Sequence, residues 1–251
     1  MSDVGYATNT SLRFHNVSMV FPDSTEALRD ISFSVKPREF VTVVGPSGCG
    51  KSTLLRIASG LIEPTGGSVD VDRRQFGYVF QDATLLPWRT VQGNVEFLAE
   101  LHGYNKVECQ TLATAAINLV GLTGFEDFYP KSLSGGMKMR ASLARTLTLK
   151  PPVFLFDEPF GAVDEITREL LNEETQELFR KEGFAGLFIT HSISEAVFMS
   201  KKVLVMSARP GQLVSEFDIP FEYPRTPALR FEAKFAELCG EVSVALRGAH
   251  W

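Results

Sequence analysis

Gly45-Pro46-Ser47-Gly48-Cys49-Gly50-Lys51-Ser52 has the spacing G-x-x-x-x-G-K-S, with Thr53 next, and the chemistry open to it is the holding of phosphate. Its glycines let successive backbone N–H groups converge on one anion with no Cβ in the way. Lys51 can reach the β- and γ-phosphates of a nucleoside triphosphate, and the Ser52 hydroxyl can ligate Mg²⁺. A second element is the apolar run Val153-Phe154-Leu155-Phe156 ending in Asp157-Glu158. Asp157 can hold the Mg²⁺ ion, and Glu158 can orient or deprotonate an attacking water. A third is Leu133-Ser134-Gly135-Gly136-Met137, where a capping serine and two glycines expose a helix N-terminus, again an anion site. One ATP does not need two such ends from one subunit. The pair predicts a dimer in which this turn closes over the γ-phosphate held by the partner's phosphate loop. Taken alone, the pentapeptide also reads as a plain capped helix after the Pro130-Lys131 turn, and the two acids as a helix cap after a buried strand.

The elements around these residues set their positions. Val41-Thr42-Val43-Val44 is β-rich and feeds the glycine loop, and Ser52 to Ala58 reads as a helix. Alternation over Ser11–Val17 and Ile31–Val35 predicts strands, with turns at Pro22-Asp23 and Lys36-Pro37. The pattern from Val91 to about Leu149 is helical: Gly121 ends one helix and Ser134 caps another. From Pro152 a strand (Val153 to Phe156), a glutamate-rich helix (Asp164 to Arg180) and a strand (Gly186 to Thr190) follow. Strands alternating with helices imply a mostly parallel sheet covered on both faces, an α/β core interrupted by a helical block.

Composition narrows the functions. With 251 residues, 44% hydrophobic and 22% charged, the chain can bury one substantial core. No apolar run approaches the ~18 residues of a membrane span. Met1 to Asn9 lacks the basic-then-apolar order of a signal peptide. Cys49, Cys109 and Cys239 have no metal-ligand spacing, and their odd number opposes a disulfide framework. A cytoplasmic chain is expected. A net charge of -5 argues against a nucleic-acid partner, and the basic pairs Arg73-Arg74 and Lys201-Lys202 read as solvated surface.

The motifs, in their order, resemble those of the ATP-binding subunits of ABC transporters over roughly residues 11 to 215. The resemblance implies a P-loop NTPase core with a mostly parallel sheet, an N-terminal antiparallel β subdomain and an inserted helical subdomain. It makes the chain one ATPase domain over 1–251: a nucleotide-binding core over about 11–90 and 151–215, a helical subdomain over about 91–150, and a tail helix over about 228–246. Leu133 to Met137 is similar to the family signature, with Met137 where glutamine is commonest. Gln81 resembles the glutamine that senses Mg²⁺ and the γ-phosphate, and His191 the switch histidine that holds that phosphate and the attacking water. Phe160 to Asp164 resembles the loop that crosses the dimer interface, and Phe21 falls where an aromatic stacks on adenine. The implied cofactors are ATP and Mg²⁺.

Leu85-Leu86-Pro87-Trp88, Met206 to Gly211 and the Glu195-Ala196 pair resemble the branch that imports nitrate, aliphatic sulfonates and taurine. The implied partners are a second ATPase subunit, two membrane-spanning permease subunits and, indirectly, an extracytoplasmic solute-binding protein, with the chain peripheral on the cytoplasmic face of the membrane. The stretch between Ser68 and Phe76 is shorter than in that branch. Leu85 to Trp88 suits a groove for a partner's short helix, and Trp88 also suits a core position beneath the helical block. An exporter or lipid-transporter ATPase is the alternative. A soluble ATPase acting on ribosomes or DNA is opposed by the single cassette, the acidic balance and the lack of a long heptad run.

Overall fold

The computed structural model describes residues 11–72 and 76–249. Met1–Asn9 and the pair Arg73-Arg74 lie outside these, as does part of the short stretch before Phe76. Two sheets form the frame. The smaller is antiparallel, in the order β2 (Glu26–Val35), β1 (Leu12–Val20), β4 (Gly66–Asp70). The larger runs β5 (Phe76–Val79), β6 (Val153–Asp157), β7 (Ala185–Ile189), β3 (Phe40–Val44), β8 (Lys202–Met206), β9 (Leu213–Asp218). Its first five strands are parallel and only β9 runs antiparallel.

Successive strand side chains point to opposite faces, and here both faces are buried. Val41, Val43, Leu155 and Leu187 join Leu12, Phe14, Leu54 and Leu55, the core beneath β1, β2 and helix α1 (Lys51–Ala58). Phe40, Val44, Phe154, Phe156 and Phe188 join the opposite core with helices α4 (Gly135–Leu147), α5 (Glu165–Glu182) and α6 (Ile193–Met199). There the Phe40 ring lies 5.7 Å from Phe156, 5.4 Å from Phe179 and 5.7 Å from Phe188.

The helical block lies between β5 and β6: α2 (Val91–Leu101), α3 (Lys106–Leu119) and α4. Each start is capped as the sequence allows. Thr90 accepts from the Gly93 N–H, Asn105 and Glu108 form a capping box, and Ser134 accepts from the Met137 N–H.

The tail differs from expectation. A single helix over about 228–246 is replaced by a 3-10 turn, Pro227–Phe231, and a separate helix α7, Ala233–Gly248. Glu232 between them is extended, so the two cannot fuse. Arg225 pins this tail to the core, donating to the carbonyls of Val197 at 2.9 Å and Phe198 at 2.8 Å. Trp88 is also corrected: it is 71% exposed, so it is not a core residue, while Leu85 packs on the core. Proline at 87 and the Asn94 side chain, which bonds both backbone groups of Leu86, turn the chain outward there.

Candidate functional site

The strand order sets the site. β5, β6, β7 and β3 are adjacent and parallel, so the loops after them leave one sheet edge side by side. These loops carry Gln81, Asp157-Glu158, His191 and Gly45–Gly50 in turn. Ligand crevices of open α/β sheets lie at this carboxyl edge.

The phosphate loop turns sharply into α1. Gly50 has φ 104°, and a Cβ there would lie 2.6 Å from Leu28 Cδ2 and 2.8 Å from the Ala27 carbonyl. Ser47 and Gly48 stand exposed at the tip, while Gly45 and Cys49 are buried and Pro46 is half-buried. Lys51 is only 7% exposed. Its Nζ donates to the carbonyls of Gly45 at 2.8 Å and Pro46 at 3.0 Å, which holds the cation inside its own loop. Burial raises the Cys49 thiol above its ordinary value, with Lys51 opposing. Thr53 is half-buried on the first turn of α1.

Ser52 Oγ donates to Asp157 Oδ1 at 3.0 Å, across 105 residues. The other carboxylate oxygen accepts from the Tyr78 hydroxyl at 3.2 Å. Burial first, then the charge of Asp157, raises the Tyr78 phenol above its ordinary value, so it stays a donor. A hydroxyl and a carboxylate drawn together form an oxygen-only donor set, which suits Mg²⁺.

Glu158 has φ 47°, a left-handed conformation that costs a non-glycine residue free energy and recurs at functional sites. Its N–H donates to the Ile189 carbonyl at 3.0 Å, and its Oε2 lies 3.2 Å from His191 Nδ1. The carboxylate is half-buried and the imidazole exposed. Gln81 comes to the same place: a Cβ on Gly161 would lie 3.5 Å from Gln81 Nε2 and 3.7 Å from Glu158 Oε2.

Other predicted residues lie apart. Leu133 is buried, and Ser134 caps its own helix at 3.2 Å from the Met137 nitrogen. Gly135 faces Val163 and Gly136 faces Thr167. Among the described residues no hydrogen bond joins Leu133–Gly136 to the phosphate loop. Asp164 caps α5, accepting from the Thr167 N–H at 3.0 Å and its hydroxyl at 2.7 Å, bonds that lower its carboxyl. Phe21 is half-buried in a turn closed by Ser24 and Thr25.

Two residues escaped sequence reasoning. Tyr78 orients Asp157 from 79 residues away. Arg209 donates to the Gly48 carbonyl at 3.1 Å from the β8–β9 turn. Tyr78 sits three residues before Gln81 on an otherwise apolar strand, and that one polar handle was the available signal.

Comparison with known proteins gives the family. Residues 28–161 match the family described as ABC transporter. The chain is similar to the nitrate import ATP-binding protein of Synechocystis, 41% identical over 238 residues, covering 90% of this chain and 90% of that protein. It is similar to the taurine import ATP-binding protein of Yersinia pestis, 42% identical over 202 residues, 78% and 79% of the two chains. A solved dimeric ATP-binding cassette in a post-hydrolysis state, bound to ADP and Pi, superposes with a TM-score of 0.74 at 28% identity, covering 84% of this chain and 100% of that one.

Proposed function

Since this chain belongs to the ABC transporter family, as a cassette that binds and hydrolyses ATP, we propose that it powers import of a small solute through two membrane-spanning permease subunits. The solute class is nitrate, an aliphatic sulfonate, taurine or a related organic compound. Near-equal identity to cassettes named for nitrate and for taurine supports a division of labour in which permease and solute-binding protein choose the solute. The observation that carries the reading is the Glu158–His191 pair, 3.2 Å apart, on strand ends beside the phosphate loop.

The roles combine this geometry with the family resemblance. Backbone N–H groups of Gly45–Ser52 and the α1 N-terminus bind the phosphates, and Lys51 exchanges its loop carbonyls for the β- and γ-oxygens. Ser52, Asp157 and Gln81 hold Mg²⁺, which supplies charge neutralisation on the phosphates when bound. Glu158 accepts the proton of the attacking water, and His191 orients that water and the γ-phosphate. Phe21 stacks on adenine. Leu133–Gly136 of a second copy closes the site, with Asp164 at the seam. ATP then favours the closed dimer, because only there does it touch both halves.

The permease docks beside Gln81. Tyr78, Phe80, Phe97, Leu98 and His102 line a cleft of about 560 Å³ suited to an apolar segment of a partner, with Phe80 39% exposed; Trp88, 71% exposed, is a second apolar contact on the same connecting segment. No helix among the described residues is long and apolar enough to cross a membrane; docked on the permease, the subunit sits peripherally on the cytoplasmic face, where ATP is supplied. Purifying the tagged chain from membranes with MgATP tests this. A permease pair and solute uptake that needs ATP are expected. Recovery with an exporter's membrane subunits, or with none, would overturn the import reading.

A further inference from the structure

Four residues beyond His191, Glu195 is 5% exposed in the first turn of α6. Ser192 and Glu195 have capping-box spacing, in which the glutamate ordinarily reaches back to the cap's own N–H. Only half of that box forms here. Ser192 Oγ accepts from the Glu195 N–H at 3.3 Å, but the Glu195 carboxylate takes the Thr190 hydroxyl instead. The Thr190 oxygen in turn accepts from the Ser192 N–H at 3.0 Å. Both neighbours of His191 are thereby tied to one buried carboxyl, while the His191 ring meets Glu158.

Helix α5 closes the other side. The Asn172 amide faces the carboxyl, and the Arg168 guanidinium lies within range of its charge. Arg168 donates to the carbonyls of Phe160 and Val163, each at 3.2 Å, on the loop ahead of Asp164, and pairs with Glu165. The other charged neighbours are His191 and Arg230, the latter held 3.6 Å over the Phe198 ring between Glu169 and Glu173. Two oxygens here, Glu195 Oε1 and Asn172 Oδ1, are buried without a partner. The Asn172 hydrogen bond favours the ionised carboxyl, whereas a proton on Glu195 turns it from acceptor to donor.

We propose that Glu195 is a positioning residue for His191, and that its proton state sets the Thr190–Ser192 turn and with it the rate of ATP hydrolysis. Ionised, the carboxylate is a strong acceptor that fixes the Thr190 hydroxyl and leaves its oxygen free for the Ser192 N–H. Protonated, it turns donor toward α5, its pull on Thr190 weakens, and the turn carrying His191 loosens. Burial, opposed by the Thr190 hydrogen bond and the Arg168 charge, pushes the Glu195 carboxyl up to about 6, so the exchange falls near neutral pH.

The inference rests on the proposed contact of His191 with the γ-phosphate, and the experiment separates the two. Glu195→Gln is an uncharged isostere at every pH. Every other ionisable group is common to both proteins, so the ratio of wild-type to variant kcat isolates Glu195. We expect a ratio of about tenfold at pH 8, falling to about twofold at pH 5, with MgATP affinity unchanged at both. Should the variant not fold, Thr190→Val cuts the same link from its other end and should reproduce the pattern, with Thr190→Ser restoring wild-type behaviour. A ratio equal at the two pH values, or a variant as active as wild type, overturns the role of Glu195. His191→Ala with normal turnover would instead overturn the reading of His191.

Discussion

The phosphate loop and the Leu133–Gly136 turn both lead into a helix N-terminus, yet the chain treats them differently. The first is wired to its surroundings: Ser52 to Asp157, Asp157 to Tyr78, Glu158 to His191 and Gly48 to Arg209. The second is wired only to itself, through the Ser134 cap, and packs on Val163 and Thr167. On the proposed reading, one chain supplies the proton-transfer and phosphate-binding groups, and its exposed Ser134 and Gly135 serve another chain's nucleotide. A contact missing within the subunit is supplied by symmetry, since a two-fold axis presents each turn to its partner's loop.

The largest effect should come from the wired half. Glu158→Gln removes the base and keeps the size, so turnover is expected to fall by about 10²–10⁴ while MgATP still binds. An ATP-loaded dimer should accumulate, read by light scattering after size exclusion. Single-turnover hydrolysis within a few-fold of wild type would remove Glu158 from the mechanism.

Next comes the division between the halves. Lys51→Ala and Ser134→Arg should each abolish turnover alone, the first by weakening MgATP binding and the second by blocking closure. Mixed, they should recover activity. A head-to-tail pair of one variant with the other gathers both lesions in one site and leaves its second site intact. If the mixture stays dead although the mixed dimer is isolated, the turn acts within its own subunit and the comparison fails.

A smaller effect is expected at the edge of the wired half. Trp88→Ala removes an exposed ring, so the isolated subunit should keep its ATPase activity and its melting temperature. Permease association should weaken by about 2 kcal/mol, as for an aromatic anchor. A variant that melts early and still binds the permease normally would return Trp88 to a structural role.

What the sequence made legible is what lies close along the chain. Val41–Val44, the glycine turn and Ser52–Ala58 are contiguous, so strand, loop and helix could be read together. Asp157-Glu158 ends an apolar run that can only be a buried strand. The antiparallel β subdomain was legible only through resemblance, because its pairing of Phe14 with Val69 joins distant segments. Tyr78 on Asp157 and Arg209 on Gly48 span 79 and 161 residues; Tyr78 offered only its polar handle on an apolar strand, and no local pattern announces Arg209. Trp88 fitted core and surface equally, since an apolar tetrapeptide around a proline fixes no direction. Glu195 stood out for its place after His191, but its burial and its grip on Thr190 needed α5 folded against it.

The smallest predicted effect tests whether the isolated turn has one role or two. Ser134 caps α4, and losing a serine cap costs about 1 kcal/mol. It is also an exposed hydroxyl, which the proposed dimer sets against a partner's phosphate. Ser134→Ala removes both roles, whereas Ser134→Asp keeps the cap and sets a negative charge against the γ-phosphate. Urea unfolding of the isolated subunit should therefore rank aspartate level with serine and alanine about 1 kcal/mol below. ATP-driven dimerisation of the same variants in a Glu158→Gln background should reverse that order, with alanine weakened and aspartate abolished. The reversal separates the contributions, because stability reads only the cap and dimerisation reads the charge that the cap site presents. If both measurements rank the variants alike, Ser134 is a helix cap alone, and the turn has no claim on the partner's nucleotide.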